Sequence, residues 1–137
     1  MSVLGIDPGM RKAGYALISG DGSVLARGIE PIEGLGPRIA ALVAAHAVAT
    51  LAVGAGTNAR QIVAQLGSLG IPLRLVDERE TTLRARRLYY AENPPRGWQR
   101  LLPLGLRFPP RPIDDYAAEL IARRFLAGGG GEKAAPA

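Results

Sequence analysis

At 137 residues, with 47% hydrophobic residues and no cysteine, the chain has room for one domain with its own core. This composition excludes a disulfide framework and any thiol or cysteine–metal chemistry, and it suits a reducing cytosol. The net charge of +5 comes almost wholly from arginine: of 17 basic residues only Lys12 and Lys133 are lysines. The planar guanidinium fork suits phosphate, but a GC-rich genome also enriches arginine, so composition alone supports a polyanionic partner only weakly.

The N-terminus enters a strand pattern at once, with no basic lead and no apolar stretch before a cleavage site, so no leader is expected. Val3-Leu4-Gly5-Ile6 reads as a short apolar strand ending at Asp7. Ala13–Ser19 and Ser23–Glu30 are two further strand-like runs, joined at Gly20-Asp21-Gly22, a hairpin signal. A helical stripe follows at Leu35, Ile39, Leu42, Val43 and His46, with Pro37 expected near the helix start. His46 on this stripe is expected to pack in the core. The apolar stretch from Ile39 to Ala55 is broken by His46, Thr50 and Gly54, so it reads as a helix and then a strand, not as a membrane span.

Leu51–Val53 is the next strand, and a helix from about Asn58 carries Ile62, Leu66 and Leu69 on one face before Gly70 stops it. Pro72–Val76 forms a strand that runs into Asp77-Glu78. Thr81 or Thr82 can cap a helix reaching about Glu92. The stretch from Asn93 to Pro112, with six prolines and four arginines, reads as a loop. A last helix is expected from Ile113 to about Ala127, so that residues 1–127 form the domain and 128–137 have the composition of a disordered tail. Three antiparallel strands followed by strand–helix alternation predict an α/β fold: a mixed five-stranded sheet flanked by helices.

Three acids fall where such a fold gathers its chemistry. Asp7 ends the first strand ahead of Pro8-Gly9, and Glu78 ends the fifth; ligand sites of α/β sheets collect at those carboxyl ends. The last helix offers Asp114 and Asp115. Asp114 shares a face with Ala118, Ile121 and Phe125, which points it toward the core, whereas Asp115 shares one with Glu119 and Arg123, a solvent-type face. Asp114 is therefore the expected third member. Carboxylates placed together repel and raise one another's pKa unless a cation joins them. Oxygen donors suit Mg²⁺ or Mn²⁺, and two such ions can drive in-line hydrolysis of a phosphodiester. Each acid alone also has a purely structural reading: Asp before Pro-Gly forms turns, and an Asp pair in a first helical turn complements the helix dipole.

At these residues the sequence resembles the YqgF (RuvX) family, assigned to Holliday-junction resolution and related to RuvC. The resemblance is carried by Gly5-Ile6-Asp7-Pro8-Gly9-Met10-Arg11-Lys12-Ala13-Gly14-Tyr15-Ala16, by Val76-Asp77-Glu78-Arg79-Glu80-Thr81-Thr82, and by Ile113-Asp114-Asp115-Tyr116-Ala117-Ala118. It implies an RNase H-like fold and a nuclease in which Asp7, Glu78 and Asp114 are the catalytic, metal-binding acids. It also implies either branched DNA or RNA, including precursor ribosomal RNA, as substrate. A homodimer is the assembly that would nick a four-way junction symmetrically. Two departures stand out. Ala117 occupies the position of the fourth acid of RuvC-type resolvases, and Gly54-Ala55-Gly56 replaces the usual Gly-x-Pro.

Between Leu83 and Pro112 lie Arg84, Arg86, Arg87, Arg96, Arg100, Arg107 and Arg111 against one acid, Glu92, together with Tyr89, Tyr90, Trp98 and Phe108. Arginines interleaved with aromatics can bind phosphates and stack on unpaired bases. With Arg11, Lys12 and Arg79, they form the expected nucleic-acid-binding set. Two other classes remain compatible with these residues: a binding factor for ribosome assembly without catalysis, and a small actin-like phosphotransferase, for whose second phosphate loop and adenosine domain the chain has little room.

Overall fold

The computed structural model describes residues 2–56, 58–76, 81–93 and 113–129. These form β1 (Ser2–Asp7), β2 (Lys12–Ser19), β3 (Val24–Pro31), α1 (Ile32–Ala45), β4 (Val48–Gly54), α2 (Ala59–Leu66), β5 (Leu73–Val76), α3 (Thr81–Glu92) and α4 (Asp114–Arg124). The sheet order is β3-β2-β1-β4-β5. β1 and β2, and β2 and β3, pair antiparallel; β4 runs parallel to β1 and to β5. This is the mixed five-stranded α/β sheet expected from the sequence. Among the described residues no helix is long and apolar enough to cross a membrane.

Strand alternation divides the core into two layers of unequal depth. One face carries Leu4, Ile6, Ala13, Tyr15, Leu17, Leu51 and Val53, which pack under the Ile32, Leu35, Ile39 and Leu42 stripe of α1 and under Ala59, Ile62 and Leu66 of α2. The other carries Val3, Ala16, Ile18, Ala52 and Val76 beneath Ala118, Ile121 and Ala122 of α4. Gly5 lies on this second face as well. A Cβ there would strike the Ala118 carbonyl and stand 2.9 Å from the Ala122 Cβ, so helix and sheet meet almost backbone to backbone. At Gly5 and Ala16 the second face is built small, and that lets α4 lie close against β1 and β2.

Local details refine the expected boundaries. α1 begins at Ile32, so Pro37 stands inside the helix instead of at its start. Proline lacks one amide, which costs the helix a single bond early in its length. The Ile32 amide donates to the Arg11 carbonyl at 2.9 Å, tying the start of α1 to the turn after β1. His46 follows the end of α1, partly buried, with its amide on the Leu42 carbonyl at 2.9 Å, so it closes the helix instead of packing in the core. α2 continues into a 3₁₀ turn, Gly67–Leu69, which Gly70 ends in the left-handed conformation (φ 72°). α4 passes into a wider π-type turn, Phe125–Gly129.

Candidate active site

β1, β4 and β5 run parallel, so their carboxyl ends lie at one edge of the sheet. Asp7, the last residue of β1, falls two positions beyond Gly5 and thus on the α4 face. Its cross-strand partner is Gly14 of β2. Gly14 in turn lies directly against the first turn of α4: a Cβ added to it would collide with the carbonyl group of Asp114 and come within 2.6 Å of the Asp115 amide nitrogen. Asp7 and Asp114 therefore flank the same glycine, one across the ladder and the other above the sheet. Glu78 and its neighbours Asp77 and Arg79 lie outside the described residues. Among the described residues no group of three potential metal ligands stands together.

Asp114 is half-buried. Its carboxyl is pushed above its ordinary pKa, first by burial, with Lys12 pulling it down and the charge of Asp115 adding to the rise. Lys12 is exposed at the start of β2, beside exposed Arg11 in the turn that follows Asp7. The edge thus holds a carboxylate that favours a nearby cation, with two basic side chains on the turn below it.

The neighbouring stripe of α4 departs from its expected character. Asp115 and Glu119 do not face solvent: they are 6% and 2% exposed. The cause is Arg27, which reaches across from β3. Its Nη1 donates to Glu119 Oε1 at 2.7 Å, and its Nε stands 3.6 Å from Asp115 Oδ2. Arg123 Nε donates to the other Glu119 oxygen at 2.9 Å. Sequence spacing showed charged residues on one helical stripe but not the cation, 92 residues away from Glu119, that makes their burial tolerable. An arginine inside an edge strand, between Ala26 and Gly28, was the available signal for it.

The basic set divides. Arg84 and Arg87 are exposed and Arg86 is partly buried on α3, while Arg96, Trp98, Arg100, Arg107 and Arg111 lie outside the described residues. Tyr89 and Tyr90 are not available to stack on bases. They are 7% and 8% exposed, packed with Tyr116 and Ala117 between α3 and α4. Tyr89 meets the rings of Tyr90 and Tyr116 edge-on, at centroid distances of 5.1 and 5.5 Å. Core packing claims these aromatics: among the described side chains of α3 they are the largest buried apolar surface set against α4.

No protein-family model matches the chain. Among solved structures, Thermus thermophilus RuvC superposes with a TM-score of 0.64 at 15% identity, covering 96% of this chain and 99% of that one. T. thermophilus RuvC in complex with a Holliday junction substrate does so with a TM-score of 0.60 at 17% identity and the same coverages. These likenesses establish the RNase H-like fold. A curated protein of Pelotomaculum thermopropionicum, named "Putative pre-16S rRNA nuclease", is 33% identical over 92% of this chain and 86% of its own length. A third of the residues shared along nearly the whole length of both proteins, on an RNase H-like sheet with Asp7 and Asp114 at one edge, shows that the chain belongs to the YqgF family.

Proposed function

We propose that the chain is a divalent-metal-dependent nuclease that hydrolyses phosphodiester bonds at the edge formed by Asp7, Glu78 and Asp114, acting in the cytoplasm on precursor ribosomal RNA. The observation that carries this reading is the approach of Asp114 to β2 over Gly14, which sets it beside the strand partner of Asp7. Glu78 joins them on sequence grounds alone: it closes the fifth strand-like run as Asp7 closes the first, and it lies in the block that resembles the family.

The donor set fits Mg²⁺ or Mn²⁺. It offers carboxylate oxygen without thiol or imidazole, and burial keeps the Asp114 carboxylate under-solvated, so that a cation relieves it. When bound, such an ion supplies a Lewis acid for the phosphate and lowers the pKa of its water. The chain's own contribution is placement. Asp7 is fixed by the β1 ladder and Asp114 by the backbone contact of α4 with Gly14. Lys12 and Arg11 neutralise substrate phosphate at the rim, and the arginines between 84 and 111 are assigned to nucleic-acid binding on sequence grounds. The relative's name favours RNA over branched DNA as substrate. The position of RuvC's fourth acid holds Ala117, buried against α3, so the site has one donor fewer on α4.

The test is cleavage of labelled precursor ribosomal RNA, single-stranded DNA and a four-way junction in Mn²⁺, Mg²⁺ or EDTA. Metal-dependent cleavage of the RNA is expected, with affinity for it falling steeply as salt rises. Tight binding of the RNA with no cleavage in either metal would instead establish a non-catalytic assembly factor. Paired symmetric nicks in the junction, with the RNA left intact, would establish a dimeric resolvase.

A further inference from the structure

α4 carries Asp114, and its closest approach to the sheet is made by small groups. Where it crosses β1 and β2 the facing groups are Gly5, Gly14 and Ala16 below and Ala118 and Ala122 above. Small residues allow close approach but seat few knobs in holes; the larger side chains of this face are Ile121 of α4 and Val3, Ile18 and Val76 of the sheet, with Phe125 beside them. On its flank toward β3, by contrast, α4 meets a directional polar lock. The Arg27 guanidinium donates to Glu119 Oε1 at 2.7 Å, stands 3.6 Å from Asp115 and 3.5 Å from Glu92 Oε1 at the end of α3, and lies 4.1 Å from the ring centroid of Tyr116. The same Nη2 donates to the Tyr116 hydroxyl at 3.3 Å. One side chain thus grips two successive turns of α4 and the last residue of α3. Its planar fork fixes direction as well as charge.

We propose that Arg27 is a positioning residue for the nuclease site: by holding Asp115 and Glu119, it sets the rotation of α4 about its axis and with it the place of Asp114 beside Asp7. This rests on the reading of Asp7 and Asp114 as metal ligands. Asp115, adjacent to Asp114 in the first turn, then acts as a handle, which explains why a second acid is buried next to the first. Arg123, which joins Glu119 Oε2 and the Gly22 carbonyl (3.1 Å), anchors the other end of the same stripe to the β2–β3 turn.

The test compares wild type with Arg27→Lys, with the doubly substituted Arg27→Met/Glu119→Met, which leaves neither member of that pair buried alone, and with Arg38→Met as a control, an arginine of α1 whose Nε donates to the Tyr15 hydroxyl at 2.9 Å on the opposite face of the sheet. Three quantities are read: Mn²⁺ affinity from the signal of free Mn²⁺ in electron paramagnetic resonance, amide exchange of Tyr116–Ala118 in metal-free protein, and kcat and KM on the RNA. For the double variant, Mn²⁺ affinity should weaken about tenfold, as when outer partners of metal ligands are removed. The α4 amides should exchange at least about tenfold faster, and kcat should fall while KM holds. Arg27→Lys, which keeps the charge and should fold, should lie between the double variant and wild type, because an ammonium cannot fork to two carboxylates. Arg38→Met should leave Mn²⁺ affinity unchanged. Affinity and exchange within twofold of wild type in both Arg27 variants would overturn the proposal. If wild type shows no Mn²⁺ binding that Asp114→Asn removes, the nuclease reading falls, and the exchange of the α4 amides still decides whether Arg27 orients the helix.

Discussion

Asp114→Asn should abolish nuclease activity while making the metal-free protein more stable. The carboxylate is held above its ordinary pKa by burial, with Lys12 opposing and Asp115 reinforcing the shift. The sign follows from linkage. A group whose pKa is raised on folding contributes its stability below its unfolded-state pKa, and that contribution is lost as pH rises through the folded-state value. At neutral pH the metal-free wild type therefore carries an ionised Asp114 at a cost, which asparagine, of the same shape but uncharged, avoids. The melting temperature of the metal-free variant should exceed that of wild type at pH 7, and the difference should vanish at low pH. With metal the order reverses. A ligand at about a hundred times its Kd stabilises a protein by about 2.7 kcal/mol, a gain open to wild type and largely closed to the variant. Loss of several kcal/mol of charge stabilisation in the transition state corresponds to about a thousandfold in rate. Thermal melts with and without Mn²⁺, set beside single-turnover cleavage, check all three points. A variant that cleaves as wild type does would remove Asp114 from the site.

The sheet was legible because its strands follow simple alternation: Leu4 and Ile6 go to one layer and Val3 and Gly5 to the other, and β1 ends at Asp7 as expected. The parallel placement of β1, β4 and β5, on which the shared edge depends, follows from strand–helix alternation. The faces of the helices were less legible. Period alone put Asp114 on the inner side of α4 and Asp115 and Glu119 in solvent, whereas Asp114 is half-buried and the other two are buried. A helical wheel sees charge and not the partner that neutralises it, and Arg27 lies on another element. Tyr89 and Tyr90 failed for a related reason. Aromatics among arginines read as a stacking platform, but α3 needs an apolar face of its own, and its tyrosines supply it against Tyr116. In both cases, long-range pairing decided what local pattern left open.

Gly14→Ala should be among the most damaging single methyl additions this chain can receive. In β2 an alanine is ordinarily harmless or mildly helpful, since glycine weakens strands. Here the added Cβ would meet the backbone carbonyl group of Asp114 and the amide nitrogen of Asp115, 2.6 Å away, and backbone atoms at a helix start cannot swing aside as a side-chain end can. Either β2 or the first turn of α4 must shift. Overpacking of this kind costs about 1–3 kcal/mol, occasionally more. The displaced turn carries Asp114, and Gly14 is paired with Asp7, so metal affinity and cleavage should fall beyond what the loss of stability explains. Gly34→Ala is the matched control. That residue lies in α1, on the opposite face of the sheet, where the new methyl would meet only the flexible end of Glu30 at 3.4 Å. There the substitution should stabilise by about 0.5–1 kcal/mol and leave cleavage as it was. Chemical denaturation of both variants, with Mn²⁺ titration under conditions where each is fully folded, separates loss of fold from loss of geometry. If folded Gly14→Ala binds Mn²⁺ like wild type, the close contact of α4 with β2 is not what holds Asp114 beside Asp7.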